Sequence, residues 1–213
     1  MVTIALSKGR ILEESLPLLA RAGIVPVEDL SQTRKLIVDT SAPDVRVVVI
    51  RAADVPTYVR YGAADIGIAG KDVLMEDGGD GLYELADLGI ARCRLMVAEP
   101  RAKAPAGAGH SWTRMRVATK YVRIAQRHFD AKGIQADIIH LYGSMELAPL
   151  VGLADRIVDL VSSGKTLAAN GLVEVEHIVD VSAWLVANRA AVKMKYKALR
   201  PVIDCLVGGV AHG

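Results

Sequence analysis

The sequence is poor in the residues that announce a metal or a disulfide. It carries two cysteines, Cys93 and Cys205, in 213 residues. They form no metal or redox motif and are expected as reduced, buried thiols of a cytoplasmic protein. The five histidines (His110, His128, His140, His177, His212) include no i,i+4 pair, so no metal held directly by the protein is expected. No apolar run approaches the roughly 18 residues of a membrane span. The opening MVTIALSKGR has no basic leader and no small-residue cleavage site behind an apolar core, so neither export nor a membrane is expected. An excess of one charge is missing too. The net charge of +2 argues against a nucleic-acid binder that works through a general basic field. Local anion sites need only a few aimed donors and are not excluded.

What is present is a globular composition, 52% hydrophobic and 23% charged, in a regular alternation. Strand-like VTIAL is followed by SKGR and then by ILEESLPLLARAG, whose apolar spacing is helical up to Gly23. VRVVVIR reads as a strand, AADVPTYVRYGA as a helix with Pro56 in its first turn, ADIGIAG as a strand and KDVLMEDG as a helix start. After CRLMVAEP the stretch near 101–111 is small, polar and Gly/Pro-rich, a surface loop and a boundary between two lobes. RVAT, ADIIHLY and RIVDLV then alternate with helical segments. VEVEHIVDVSAWLVAN returns in extended form, and RAAVKMKYKALRPVIDCLVGGVA closes as a helix. Such alternation implies α/β architecture with parallel or mixed sheets, whose ligands lie beyond the carboxyl ends of strands.

The loops at those ends hold the chemistry. DLVSSGKT ends like a phosphate loop of nucleotide kinases, but Asp159 stands where that template needs glycine. A different phosphate cup fits it. Ser162 and Ser163 supply hydroxyls, Gly164 a tight turn, and Lys165 and Thr166 the next backbone N–H groups. Asp159 accepts from sugar hydroxyls, a pairing suited to a ribose phosphate. An ordinary helix capped by Ser or Thr is the bland alternative. LSKGRI places Lys8 and Arg10 around Gly9 just after a strand, as a polyphosphate contact or as two solvated cations. In GSMELAPL, Gly143 and Ser144 can form an anion nest with Glu146 beside it, or Ser144 can simply cap a helix.

Taken in order, these blocks resemble the short-form ATP phosphoribosyltransferases. The matching stretches are ALSKGRI, RAADVPTYVRYGAADIGIAGKDVL, ELADLG, VATKY, GSMELAPLVGLADRIVDLVSSGKTLAANGL and NRAA, spread over nearly the whole chain. The resemblance implies an enzyme, a glycosyltransferase that opens histidine biosynthesis. Adenine N1 of ATP attacks the anomeric carbon of phosphoribosyl pyrophosphate with inversion, and pyrophosphate leaves. It implies two α/β lobes like those of periplasmic binding proteins, with the active site in the cleft. The first lobe takes 1–93 and 180–213, the second 94–179. Mg2+ is implied, held by pyrophosphate and ribose oxygens.

Site roles follow by matching. Ser162, Ser163, Gly164, Lys165 and Thr166 hold the 5′-phosphate, and Asp159 with Asp155 the ribose hydroxyls. Arg10 and Arg34 serve the departing pyrophosphate as catalytic groups. Lys8, Gly9, Arg51, Asp72, Lys120, Tyr121, Gly143, Ser144 and Glu146 contact ATP. Val122-Arg123 departs from the Pro-Asn that family members often carry there. The C-terminal regulatory domain of long forms is expected to be missing. The expected partner is therefore a separate regulatory subunit related to histidyl-tRNA synthetase, in a hetero-octamer, with catalytic chains paired as homodimers. VPTYVRYG or VIDCLVGGVA can supply apolar dimer surface or simply core. A solute-binding protein on the same scaffold and a P-loop kinase are the competing readings.

Overall fold

The computed structural model describes residues 1–101 and 114–208. In chain order the elements are β1 (Val2–Ser7), α1 (Arg10–Arg21), β2 (Ile37–Asp39), β3 (Val45–Ile50), α2 (Val55–Arg60), β4 (Ile66–Gly70), α3 (Lys71–Asp77), β5 (Leu82–Asp87) and β6 (Cys93–Pro100). They continue with β7 (Met115–Thr119), α4 (Val122–Asp130), β8 (Ala136–His140), α5 (Leu147–Leu150), β9 (Arg156–Val161), α6 (Lys165–Ala169), β10 (Leu172–Val181), β11 (Ala183–Asn188), α7 (Arg189–Met194) and α8 (Tyr196–Gly208). The loop expected near 101–111 falls almost wholly outside the described residues. Among the described residues no helix is long and apolar enough to cross a membrane.

Two compact units result, Met1–Arg92 with Ser182–Gly213, and Cys93–Val181. The first is built on a six-stranded sheet ordered β2-β3-β1-β4-β11-β5. Its centre, β3-β1-β4, is parallel. All six residues of β1 are buried, as a strand covered on both faces requires. On one face α1 sends Leu12, Leu18 and Leu19 into a core shared with Leu185, Leu199 and Leu206. On the other, Val55 and Val59 of α2 pack with Ala5, Val48 and Val186. The second unit has a five-stranded sheet ordered β10-β6-β9-β7-β8 and a core of its own around Met145, Ile157 and Leu172. Its β9-β7-β8 set is parallel.

Polar clasps fix the return of the chain to the first unit. Asp65 accepts the Thr3 N–H at 2.9 Å and both oxygens take Lys195 Nζ, at 2.9 and 3.0 Å. Asn188 caps α7 through Ala191 N–H and donates to the carbonyls of Val59 and Arg60.

Some elements differ from expectation. The extended run ending in AWLVAN is two strands in two sheets, parted at Ser182. The closing helix is two, broken at Lys195. β2 and β5 were not foreseen as strands. Both cysteines are free, as expected, but half-buried rather than buried.

Candidate active site

In the second unit, β9 runs into Ser162 and Ser163, and Gly164 turns the chain with φ 72 before α6 starts at Lys165. Gly164 is the N-cap, and no side chain caps the helix. The first N–H groups of a helix have no partner inside it, so here they are left to another acceptor. The ordinary Ser/Thr cap is thereby excluded. Ser162, Ser163, Lys165 and Thr166 are exposed and line, with Asp159 and Glu146, a cavity of about 200 Å3.

Glycine suits position 164 chiefly through its backbone. A Cβ would take up a left-handed φ and would meet Glu174 Oε1 at 2.9 Å. Glu174, on β10, is held by Arg94 at 3.1 Å. A carboxylate thus lies against the anion loop with a guanidinium to neutralise it. Sequence reading missed this pair; its one signal was the acid-rich alternation of VEVE.

Sheet register gathers the remaining second-unit residues. Thr119, the last of β7, pairs with Val158 of β9 and with His140 of β8. Lys120 therefore falls level with Asp159, one step on. Lys120 Nζ lies 4.6 Å from the Tyr121 ring centroid, and that ring is buried. Tyr121 supports Lys120 more directly than it faces solvent. Asp159 is half-buried and accepts the Leu160 N–H at 2.8 Å. Beyond β8, Ser144 takes a left-handed φ of 52 after Gly143, and α5 is capped by Glu146 without a side-chain bond. Ser144 is not a helix cap, and Glu146 reaches the cavity of the Gly164 loop.

Asp155 is placed elsewhere. It precedes β9 and accepts the Arg116 N–H at 2.8 Å and Arg116 Nη2 at 3.1 Å. Six strand residues, about 20 Å, separate it from Ser162. The structure does not bring Asp155 to the loop. Partial burial works against its charge, but the Arg116 bonds outweigh burial and hold the carboxyl below its usual range.

In the first unit, Ser7 pairs with Ile50 in the last register of β1 and β3. The next residues, Lys8 and Arg51, stand side by side at the carboxyl ends of neighbouring strands. Both line a cavity of about 580 Å3 with Leu36, Val49, Ile50, Ala52 and Asp54. Gly9 follows with φ 93 and starts α1. Arg10 donates to Glu14 at 2.6 Å and to the Arg92 carbonyl at 3.1 Å. The Ala91 N–H, at 2.7 Å, and then Arg10 keep the Glu14 carboxyl below its ordinary pKa. Arg34 is exposed, and its neighbours Thr33 and Lys35 both bond Glu28. Asp72, in the first turn of α3 after β4, is buried, its oxygen folded over Gly70. Among the described residues no group of three or more His, Cys, Asp or Glu is placed to hold a metal.

Comparison with known proteins adds a family. The model of the ATP phosphoribosyltransferase (HisG) family matches residues 51–208. An ATP phosphoribosyltransferase of Chromobacterium violaceum is 61% identical over 209 residues, 98% of each chain. One of Burkholderia cenocepacia is 62% identical over 212 residues, all of this chain and 98% of its own. The ATP phosphoribosyl transferase (HisG:HisZ) complex from Thermotoga maritima superposes with TM-score 0.82 at 31% identity, covering both chains fully. The alkanesulfonate-binding protein SsuA of Xanthomonas axonopodis pv. citri is alike in fold alone, with TM-score 0.57 at 14% identity over 96% of this chain and 71% of its own.

Proposed function

The chain belongs to the ATP phosphoribosyltransferase family, and we propose that it joins ATP to phosphoribosyl pyrophosphate at adenine N1, releasing pyrophosphate, as the first step of histidine biosynthesis. The observation that carries the reading is the uncapped turn at Gly164, with two serine hydroxyls and a carboxylate around one small cavity.

In this reading the 5′-phosphate lies on the Ser162–Thr166 turn, where backbone N–H groups, hydroxyls and Lys165 converge. Asp159 takes the ribose hydroxyls, with Lys120 level with it across the sheet. Glu146 accepts from a hydroxyl or amine at the same cavity. Lys8 and Arg51, adjacent at their strand ends, hold phosphates of ATP, with Gly9 and Asp72 beside them. Gly143 and Ser144 supply a further anion contact. No strong general base is needed, because adenine N1 carries a lone pair at neutral pH. Holding two polyanions together is most of the task. Arg34, with Arg10, meets the charge that grows on the departing diphosphate, so each guanidinium contributes more in the transition state than in the ground state. Asp155 serves as the clasp at the amino end of β9.

An Mg2+ ion would be held by oxygens of the donor's diphosphate and ribose and would supply neutralisation of the leaving group's charge; Asp159 and Glu146, hard oxygen donors at the Gly164 cavity, fit such an ion nearby. A cytoplasmic setting, a homodimer of catalytic chains and a regulatory second subunit, of the kind represented in the Thermotoga maritima HisG:HisZ complex, complete the proposal.

Pyrophosphate release with both substrates and the second subunit tests the reaction. Release that needs ATP and the ribosyl donor together supports it; none at all rejects it in favour of a pure binder. Arg34→Ala is expected to slow single-turnover chemistry about 10²-fold, the scale of one lost donor to a developing anion. An unchanged rate removes Arg34 from the leaving group.

A further inference from the structure

Acids crowd the turn at Gly164. Glu146 and Asp159 line its cavity together with Lys165, and Lys120 falls level with Asp159. A third carboxylate, Glu174, reaches the turn from β10, its Oε1 2.9 Å from where a Cβ on Gly164 would stand. Arg94 Nη2 donates to both oxygens of Glu174, at 3.1 and 3.4 Å. Arg94 stands on β6, the strand between β10 and β9, and pairs there with Val161, the residue before Ser162. The guanidinium is thus carried by the strand beside the one that delivers the turn. Both side chains keep contact with water, Arg94 at 45% and Glu174 at 27% exposure. An ion pair so placed adds little to stability, so the fold alone does not account for it.

Resting on the transferase reading above, we propose that Arg94 and Glu174 are a positioning pair that sets the charge of the turn for the ribosyl donor's 5′-phosphate. Glu174 holds the guanidinium beside Gly164. Arg94 in turn cancels a carboxylate that would otherwise repel the phosphate. Neither side chain lines the cavity, so the pair acts through the field at the turn and not by contact with the donor. The sign of the response separates this role from a structural one. A bridge that only tied β10 to β6 would be harmed alike from either end. A charge-setting pair answers oppositely: losing Arg94 leaves a bare carboxylate against the turn, and losing the charge of Glu174 leaves a free guanidinium.

The test uses the full chain with its second subunit. Equilibrium binding of phosphoribosyl pyrophosphate and of ribose 5-phosphate is measured for wild type, Arg94→Gln, Glu174→Gln and the double variant. Arg94→Gln is expected to weaken both ligands about fivefold, the scale of one unit charge acting on a dianion across a partly screened surface. Glu174→Gln should tighten both, and the double variant should return to within about twofold of wild type. In steady state the changes should fall on the donor's KM, with kcat kept. The inference is overturned if the two single variants weaken binding alike, or if neither changes it. Lys165→Ala reports on the underlying reading. If it leaves donor binding unchanged, the turn does not hold the phosphate and the reading itself fails. If it weakens the donor while Arg94→Gln does nothing, only the pair's role is lost.

Discussion

At the scale of single residues, the anion turn depends on a hydrogen atom where every other amino acid has carbon. Gly164→Ala adds about 1 kcal/mol or more of backbone strain and pushes Glu174 away from Arg94. The expected outcome is an approximately tenfold loss of affinity for the ribosyl donor, read by calorimetry, with ATP binding unchanged. Asp155 makes the opposite prediction. Its pKa is lowered by folding, so its clasp on Arg116 stabilises the protein above the ordinary carboxylate range. That contribution is lost as pH falls through the folded value. Asp155→Asn should therefore melt earlier than wild type at neutral pH. The two melting curves should converge well below pH ~4, with donor affinity unaffected at neutral pH.

At the scale of elements, the last helices are tied to the first strand through one carboxylate. Asp65→Ala leaves the Thr3 N–H and Lys195 without that acceptor and is expected to cost about 2 kcal/mol in denaturant unfolding. The sequence announced the elements with an apolar run or a clean helical stripe. β1, β3, β4, β9 and α1 read so and stand close to where that puts them. β2 is three residues long, and β5 reads LYELAD, half polar because it ends its sheet. Neither offers enough alternation to stand out. The switch at Ser182 is silent for another reason. Val181 and Ala183 are both buried, and hydropathy does not say in which core. The anion turn was legible because glycine, hydroxyls and an acid have few other uses in that order. Arg94 and Glu174 were not, since each looks like a strand charge until the fold supplies its neighbours.

At the scale of the whole molecule, each unit has its own core, and the second is one continuous insert. Cys93 and Val181, its first and last residues, are paired across β6 and β10. Two compact units predict two calorimetric transitions. Saturation with the ribosyl donor at 100 times its Kd should add about 2.7 kcal/mol of stability, most of it to the unit that carries the Gly164 turn. A single transition that moves as a whole would mean the units melt as one.

The strand order β4-β11-β5 has a consequence for synthesis. β5 emerges from the ribosome early, yet its ladder among the described residues is with β11, which follows about a hundred residues later. At roughly 5–20 residues per second it waits some 5–20 s with its backbone unmatched. Over that interval the insert is completed. The nascent chain therefore finishes its middle before its beginning, and chaperone demand should peak while β5 is still waiting.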